Sequence, residues 1–294
     1  MSTSTKTHLR ALRRTSLSWP PAPPSACPES SGVDVFSLEL GKYFLDLRIY
    51  NDASGPSGRK GEVDWAMAGV RQVLDGSAED KTKLRFITII SSRTPHPSPI
   101  LPLSGSESFA NPEETESPLD TSTPDDVVIQ PLPQDSSHPD SNPTYLESGC
   151  MPNPTVIPAS DEYVPFEETW EILPLQTSTS SSSSESETTS KVFLLESLTA
   201  NTEEGGKAYF AQLGRYRLAL SDPCDGTGSG NGFHGWIDEC DGASSEWVEV
   251  KSISQASRKA IEGEGVEEVL ERVGEGDMVY WAGREWVVRV KTAV

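Results

Sequence analysis

Two β-rich blocks that carry tryptophan, separated by serine- and proline-rich sequence, constrain the fold of this 294-residue chain more than any other feature. The first block holds Trp65 and Trp170, and the second ends in MVYWAGREWVVRV, with Trp281 and Trp286. Large aromatic side chains on successive strands can fill the interior of a small β-barrel. The pattern therefore predicts architecture and says little about chemistry.

Short strands with turn signals between them occupy the first block. Residues 33–50 alternate apolar and polar side chains and bend at Gly41, which predicts a β-hairpin. Further strands are predicted at 63–69, 83–92 and 163–175. We therefore assign a first β-barrel domain to residues 32–176.

An insertion interrupts this domain at about residues 92–143. It holds 11 of the 23 prolines, nine acidic residues and one basic residue, Arg93. Such a segment buries too little apolar surface to offset chain entropy, so the composition predicts disorder. Only DVVIQPL (126–132) has strand character.

The N-terminal 31 residues are predicted to be a disordered basic tail. Residues 1–28 contain Lys6, Arg10, Arg13 and Arg14 but no acid, in a chain of net charge −21. An Arg-rich, Ser-rich, acid-free start is also typical of a mitochondrial transit peptide, which we keep as the alternative. The following WPPAPP cannot be helical, which favours the tail.

The second block follows a Ser/Thr linker at residues 177–190, the clearest domain boundary in the chain. Strands are predicted at 192–199, 207–221, 232–239 and 246–254. A short helix at 266–273 precedes a closing hairpin that turns at Ala282-Gly283. These elements predict a second small antiparallel barrel at residues 191–294.

The charge and the cysteine pattern exclude several classes of function. A net charge of −21 opposes binding to nucleic acid and to anionic membranes, and no apolar run is long enough for a membrane span. The four cysteines contain no C-x-x-C pair, so we predict no metal site and no cofactor, with reduced thiols inside the cell.

No credible catalytic constellation emerges from the sequence. His234 is the one histidine inside a predicted fold; Asp238 or Asp241 could orient it, but no G-x-S-x-G motif supplies a nucleophile. Glu167 and Glu168 are adjacent on a strand and face opposite sides, so we interpret both as solvated acids. The tryptophans are interpreted as barrel filling, with a pocket for a flat apolar ligand as the alternative.

The linker contains candidate phosphorylation sites. Glu185 and Glu187 lie three residues from hydroxyl side chains on both sides, a spacing that acid-directed kinases can read. The candidate positions are Ser182, Ser184, Thr188 and Ser190.

The ordered motifs resemble the fungal HRI proteins, a family named for interaction with a casein-kinase-1-type protein kinase. In the first half the likeness is carried by VFSLELGKYFLDLRIY, VDWAMAG, ESGC and VPFEETWEILPL. In the second half it is carried by AQLGRYRLAL, GFHGWIDE, SSEWVEVKS and VGEGDMVYWAGREWVV. Each motif is short, and their common order supports the resemblance.

The resemblance implies two consecutive calycin-like (lipocalin-like) β-barrels, a location in the cytoplasm and nucleus, and association with that kinase. A link to the protein-translocation apparatus of the endoplasmic reticulum is also implied. The family offers no established catalytic residues. We therefore predict a non-enzymatic interaction protein; the alternative is a barrel that binds a small apolar ligand or acts on a small metabolite.

Overall fold

The structure is a computed structural model that describes twelve segments of the chain. They are residues 8–20, 32–51, 61–76, 81–92, 125–134, 141–152, 163–175, 191–198, 207–221, 233–241, 246–253 and 265–293.

Eight antiparallel strands form a closed barrel in chain order. They are β1 (Leu9–Ser18), β2 (Val33–Leu40), β3 (Tyr43–Tyr50), β4 (Val63–Val73), β5 (Thr82–Ser91), β6 (Asp125–Pro131), β7 (Thr144–Pro152) and β8 (Tyr163–Leu173). Pairing of β1 with β8 closes the ring and places Ala11 opposite Leu173. The predicted first barrel is therefore confirmed.

The first strand corrects the prediction of a disordered tail over residues 1–31. Residues 9–18 pair with β2 on one side and with β8 on the other. The arginines that suggested a basic tail have acidic partners on these neighbours: Arg13 bonds Glu171, and Arg14 bonds Glu168. Because those partners are more than 150 positions away in the sequence, local composition could not reveal them. Residues 1–7 and 21–31 lie outside the described residues.

The predicted disordered insertion also needs correction. The segment DVVIQPL, which has strand character in the sequence, forms β6. This strand lies between β5 and β7 in the barrel. Val127 and Ile129 are buried there with Leu84, Tyr145 and other interior residues. Burial of two branched side chains gives this short strand the apolar contacts that its proline-rich surroundings lack. Residues 93–124 lie outside the described residues.

The second block forms a seven-stranded sheet in the order β13-β12-β11-β10-β9-β15-β14. The strands are β9 (Lys191–Ser197), β10 (Ala208–Leu213), β11 (Tyr216–Ser221), β12 (His234–Cys240), β13 (Trp247–Ser252), β14 (Met278–Trp281) and β15 (Arg284–Ala293). Pairing among the described residues leaves β13 and β14 at the edges, so the predicted second closed barrel is only partly shown: the strands are present, without closure.

The predicted helix and closing hairpin are confirmed. Helix α1 (Val266–Glu271) buries Val266 and Leu270. These side chains pack with Trp281 and Trp286 in one apolar cluster, so the helix covers one face of the sheet where a closing strand pair would otherwise be needed. The hairpin between β14 and β15 turns through Ala282 (φ 51°) and Gly283 (φ 74°). Two positive φ values in a two-residue loop match the type of turn that fits the twist of a hairpin.

The two β units share a hydrophobic core. Leu45, Leu47 and Ile49 from the barrel belong to the same buried cluster as Leu194 and Leu220 from the second sheet. This explains why residues 43–49 are all buried: one face of β3 looks into the barrel and the other packs on the sheet. The units are therefore packed layers of one body, although the sequence indicates separate domains.

The ends of the Ser/Thr linker meet at one turn. Arg215 N donates to Leu175 O at 3.2 Å, and Gly214 N donates to Lys191 O at 3.1 Å. The chain thus leaves the barrel and enters the second sheet at neighbouring residues. Residues 176–190 lie outside the described residues, and so do the candidate phosphorylation sites Ser182, Ser184, Thr188 and Ser190.

Candidate functional site

The interior of the barrel is lined by charged and aromatic side chains. Alternation along β3 sends Phe44, Asp46 and Arg48 inward, while the leucines between them face the second sheet. A cavity of about 40 Å³ lies among residues from seven of the eight strands. Its wall consists of Leu12, Ser37, Glu39, Phe44, Asp46, Arg48, Met67, Phe86, Tyr145, Glu147 and Trp170.

One end of the interior holds a network around Glu168. Its Oε1 accepts from Arg14 Nη1 at 2.6 Å and lies 3.3 Å from Arg48 Nη1. Arg48 Nε also donates to Asp46 Oδ1 at 2.8 Å, and its guanidinium lies 5.0 Å from the centre of the Trp65 ring. All four ionic side chains are at most 10% exposed, so each charge depends on the others for compensation.

A second network surrounds Glu39. Arg71 Nη1 lies 2.8 Å and Arg10 Nε 3.8 Å from Glu39 Oε2, which makes ion pairs but no hydrogen bond of normal geometry. Arg71 Nε donates to Gly41 O, which ties this pair to the turn between β2 and β3. Arg10 also lies 5.7 Å from the centre of the Tyr145 ring. The cavity therefore lies between two ionic networks.

Burial changes the acid–base properties of this interior. It raises the pKa of the Asp46 carboxyl above its usual range, in spite of the adjacent Arg48. It also raises the pKa of the Tyr145 hydroxyl well above that of a free tyrosine. Tyr145 is therefore a neutral donor and acceptor at physiological pH.

Trp170 also lines this space and carries an unused hydrogen-bond donor. Its side chain is 3% exposed and lines the cavity, and its indole Nε1–H has no acceptor within the described residues. A buried donor without an acceptor is costly, so a group that accepts a hydrogen bond there would be stabilised. The size of the cavity limits any occupant to a few heavy atoms.

The residues that sequence reasoning considered for catalysis are not brought together. His234 begins β12, and Asp238 is four residues further along the same strand, about 13 Å away at strand rise. Burial, and then Arg284, lower the pKa of His234. In the part of the chain that the structure describes, no group of three or more His, Cys, Asp or Glu residues could hold a metal ion. The described helices include none long and apolar enough to span a bilayer.

Glu168 was predicted to be solvated, and this is wrong. Glu167 and Glu168 do face opposite sides of β8, but Glu168 is 1% exposed inside the barrel. Six of the seven tryptophans divide into two groups. Trp170, Trp236, Trp281 and Trp286 are buried in the cores, whereas Trp65 and Trp247 are half-buried against Arg48 and Arg217.

A second candidate site is the edge strand β14. Met278 and Tyr280 are 68% and 72% exposed, while Val279 and Trp281 face the core. Among the described residues, no strand pairs with the outer side of β14 at these two positions. Trp281 and Arg284 flank the two-residue turn and form a hydrogen-bonded pair, so hydrogen bonding to β15 alternates and leaves the backbone of Met278 and Tyr280 facing outward.

Sequence reasoning missed both sites. The signal for the first was the alternation of Leu45, Leu47 and Ile49 with Asp46 and Arg48, but alternation alone does not say which face is inside. The signal for the β14 site was the pair of apolar residues Met278 and Tyr280 at alternate positions of the closing hairpin. They lie on the face of β14 opposite to the one that packs on the core.

Comparisons with known proteins give one family and one fold. No curated protein sequence matches this chain. An uncharacterized protein from Saccharomyces cerevisiae, YLR301w, has a crystal structure that covers 97% of this chain and 99% of its own, with a TM-score of 0.63 and 14% sequence identity. This likeness shows a shared fold. A family model described as Protein HRI1 matches residues 10–289, from within β1 to within β15. The sequence-based resemblance is thus confirmed, and the chain belongs to the HRI1 protein family.

Proposed function

We propose that this chain is a non-enzymatic interaction protein that binds a partner through the edge of its second sheet. The observation that carries the proposal is the strand β14, where Met278 and Tyr280 combine exposed apolar side chains with outward-facing backbone groups. Exposed edges with these features accept an added strand from a partner, and proteins without such a partner usually shield them.

The surroundings of β14 define the chemistry of the partner. Glu275, Asp277 and Glu285 are exposed beside the two apolar side chains. The whole chain has a net charge of −21. An extended segment that alternates apolar and basic residues would match both the side chains and the charge.

The resemblance to HRI proteins suggests the identity of the partner. A casein-kinase-1-type kinase is the first candidate, and the translocation apparatus of the endoplasmic reticulum is the second. Location in the cytoplasm and nucleus belongs to the same proposal, and mitochondrial import stays the alternative.

Co-purification with the tagged full-length chain from a fungal lysate tests this proposal. We expect enrichment of a casein-kinase-1-type kinase and its loss in Tyr280→Pro, which removes one edge donor without touching a bond to β15. The matched control is Val248→Ser on the opposite edge strand, where Val248 is 54% exposed. If the kinase is not enriched above background, it is not the partner. If enrichment persists in both Tyr280→Pro and Met278→Ser, the partner does not bind at β14.

A second candidate function is small-molecule binding inside the barrel. The cavity favours it, because it is bounded by side chains with polar atoms and retains one unused donor. The ligand predicted from the sequence was apolar, whereas three carboxylates in the wall favour a polar one.

A further inference from the structure

Three positive charges surround one carboxylate at the junction between the barrel and the second sheet. Lys207 Nζ lies 2.6 Å from Oε1 of Glu196, and Arg289 Nε lies 2.5 Å from Oε2. Lys42, in the turn between β2 and β3, is close to both: partial burial and then Arg289 lower the pKa of its ammonium group, and Glu196 offsets this only in part. Three positive charges against one negative charge leave a net charge of +2, in a chain whose overall charge is −21.

The other ionisable groups at this junction do not cancel the excess. Besides Glu196, the carboxylate that acts on the neighbouring Tyr43 hydroxyl is Glu275. Its Oε1 accepts a hydrogen bond from the backbone N of Lys291, whose side-chain charge balances that of Glu275. The Tyr209 hydroxyl donates to Glu196 Oε1 at 3.1 Å, and burial raises its pKa well above that of a free tyrosine, so it stays neutral.

A β-bulge brings Arg289 to this junction. Val288 pairs with Leu195 and Val290 pairs with Leu194, so Arg289 is inserted between two consecutive pairs of the β9–β15 ladder. Because of the insertion, Val288 and Val290 pack in different apolar clusters, although residues two apart on a regular strand share one face. Bulges re-aim a side chain in this way and are frequent beside functional sites.

The guanidinium of Arg289 retains donors for a ligand. Glu196 accepts from its Nε, whereas no hydrogen bond within the described residues uses its terminal nitrogens Nη1 and Nη2. These two nitrogens are not among the buried atoms without a partner, and the side chain is 20% exposed, so solvent reaches them. The parallel N–H groups of such a fork match the oxygens of a phosphate or a carboxylate.

The charge of the junction favours a doubly charged anion over a singly charged one. A carboxylate would neutralise only half of the excess. A phosphate monoester carries close to two negative charges at neutral pH and has three strong acceptor oxygens, enough for one guanidinium fork and two ammonium groups.

We propose that this junction binds a phosphate monoester, with the phosphate oxygens between the terminal nitrogens of Arg289 and the ammonium groups of Lys207 and Lys42. The inference goes beyond the proposed binding at the β14 edge and does not depend on it, because none of these three side chains belongs to β14. The two can therefore fail separately.

Titration of the ¹⁵N-labelled full-length chain with methyl phosphate, at neutral pH and constant ionic strength, tests this assignment. We expect a saturable shift of one arginine Nε–H resonance, the one missing from the spectrum of Arg289→Lys. Methyl sulfate is the matched ligand, because it has the same shape and only one negative charge. We expect it to bind about fivefold more weakly, since it forfeits one charge–charge attraction near the surface.

Two variants move the affinity in opposite directions. Lys42→Gln removes a positive charge, so we expect methyl phosphate to bind about fivefold more weakly. Glu196→Gln removes the competing negative charge, so we expect methyl phosphate to bind about fivefold more tightly, a gain that a damaged fold would not produce. Lys81→Gln, at an exposed lysine before β5, is the charge-matched control and should leave binding unchanged.

Two further ligands distinguish the sources of such an ester. Glycerol 3-phosphate represents a small metabolite, and a short phosphoserine peptide represents a phosphorylated protein. The ligand that binds more tightly than methyl phosphate identifies the source, because only its remaining atoms differ.

Three results would overturn the assignment. They are the absence of saturable shifts with methyl phosphate, equal affinities for methyl phosphate and methyl sulfate, and an affinity that neither Lys42→Gln nor Glu196→Gln changes. If Glu196→Gln fails to fold, Lys42→Gln and the comparison of the two ligands on the unaltered chain still decide the matter.

Discussion

Buried charges in this protein occur where opposite charges come from different strands. Glu168 on β8 lies between Arg14 on β1 and Arg48 on β3, and each of these side chains is at most 10% exposed. Such an ion pair stabilises the folded protein little more than apolar packing in the same place would. Removing one member, however, leaves an uncompensated charge in the interior. The network therefore makes the strand pairing of the barrel depend on single side chains.

Glu196 on β9 has a similar role outside the barrel. Its carboxylate accepts from Lys207 Nζ at 2.6 Å, from Arg289 Nε at 2.5 Å and from the Tyr209 hydroxyl at 3.1 Å. Burial alone would raise the pKa of Glu196, but Lys207 and Arg289 outweigh it and hold the pKa below the usual value of 4.5. A carboxyl whose pKa is lowered by folding stabilises the protein above its unfolded pKa, and this contribution is lost as the pH falls through the folded value.

We therefore expect Glu196→Gln to lower the free energy of unfolding by about 1–3 kcal/mol at neutral pH, because Lys207 and Arg289 lose a charged acceptor. The difference between the two proteins should shrink as the pH falls below 4.5. Urea unfolding at neutral and acid pH measures this. A difference that stays constant with pH, or grows in acid, would contradict the prediction.

At the scale of elements, β1 decides whether the first unit is a barrel or an open sheet. It supplies both Leu12 to the interior and the arginines that pair with Glu168 and Glu171. Without it, β2 and β8 become unpaired edges.

Deletion of residues 1–18 should therefore abolish cooperative unfolding or lower the free energy of unfolding by at least about 4 kcal/mol, through lost apolar burial and lost ion pairs. Deletion of residues 1–7, which precede β1, is the control and should have little effect. Circular dichroism and urea titration of the two truncated chains provide the measurement. Equal stabilities would mean that β1 does not contribute to closure.

For the whole molecule, the shared core couples the barrel to the second sheet. Leu47 and Leu220 are at most 1% exposed and belong to one cluster, although they come from different units. Separation of the units would expose this surface to water, at a cost that scales with the apolar area.

We expect Leu47→Ala and Leu220→Ala each to lower the free energy of unfolding of the entire chain by about 2–5 kcal/mol. Tryptophan fluorescence and far-ultraviolet circular dichroism should give coincident transitions in both variants, as for a single cooperative unit. Val73→Ala, at a side chain that is 62% exposed, is the control. Two transitions, of which only one shifts in each variant, would show that the units unfold independently.

The local sequence was sufficient for elements whose signals are short in range. The hairpin at Ala282-Gly283, the helix from Val266 and most strands of both blocks, though not β1 or β7, follow from periodicity and turn chemistry, which depend on neighbouring residues. The family could also be recognised from the sequence, because the recognition depended on the order of several motifs and not on any single residue.

Only the tertiary structure decided which face of each strand is inside and which opposite charges are paired in the interior. Along β3 the leucines face a second sheet and the charged residues face a barrel interior, so the alternation predicted from the sequence was correct but its direction was not determined. Arg14 in a supposed tail and Glu168 in a supposedly solvated pair are partners 154 positions apart. Sequence patterns report contacts between near neighbours, whereas compensation of buried charge depends on residues that only folding brings together.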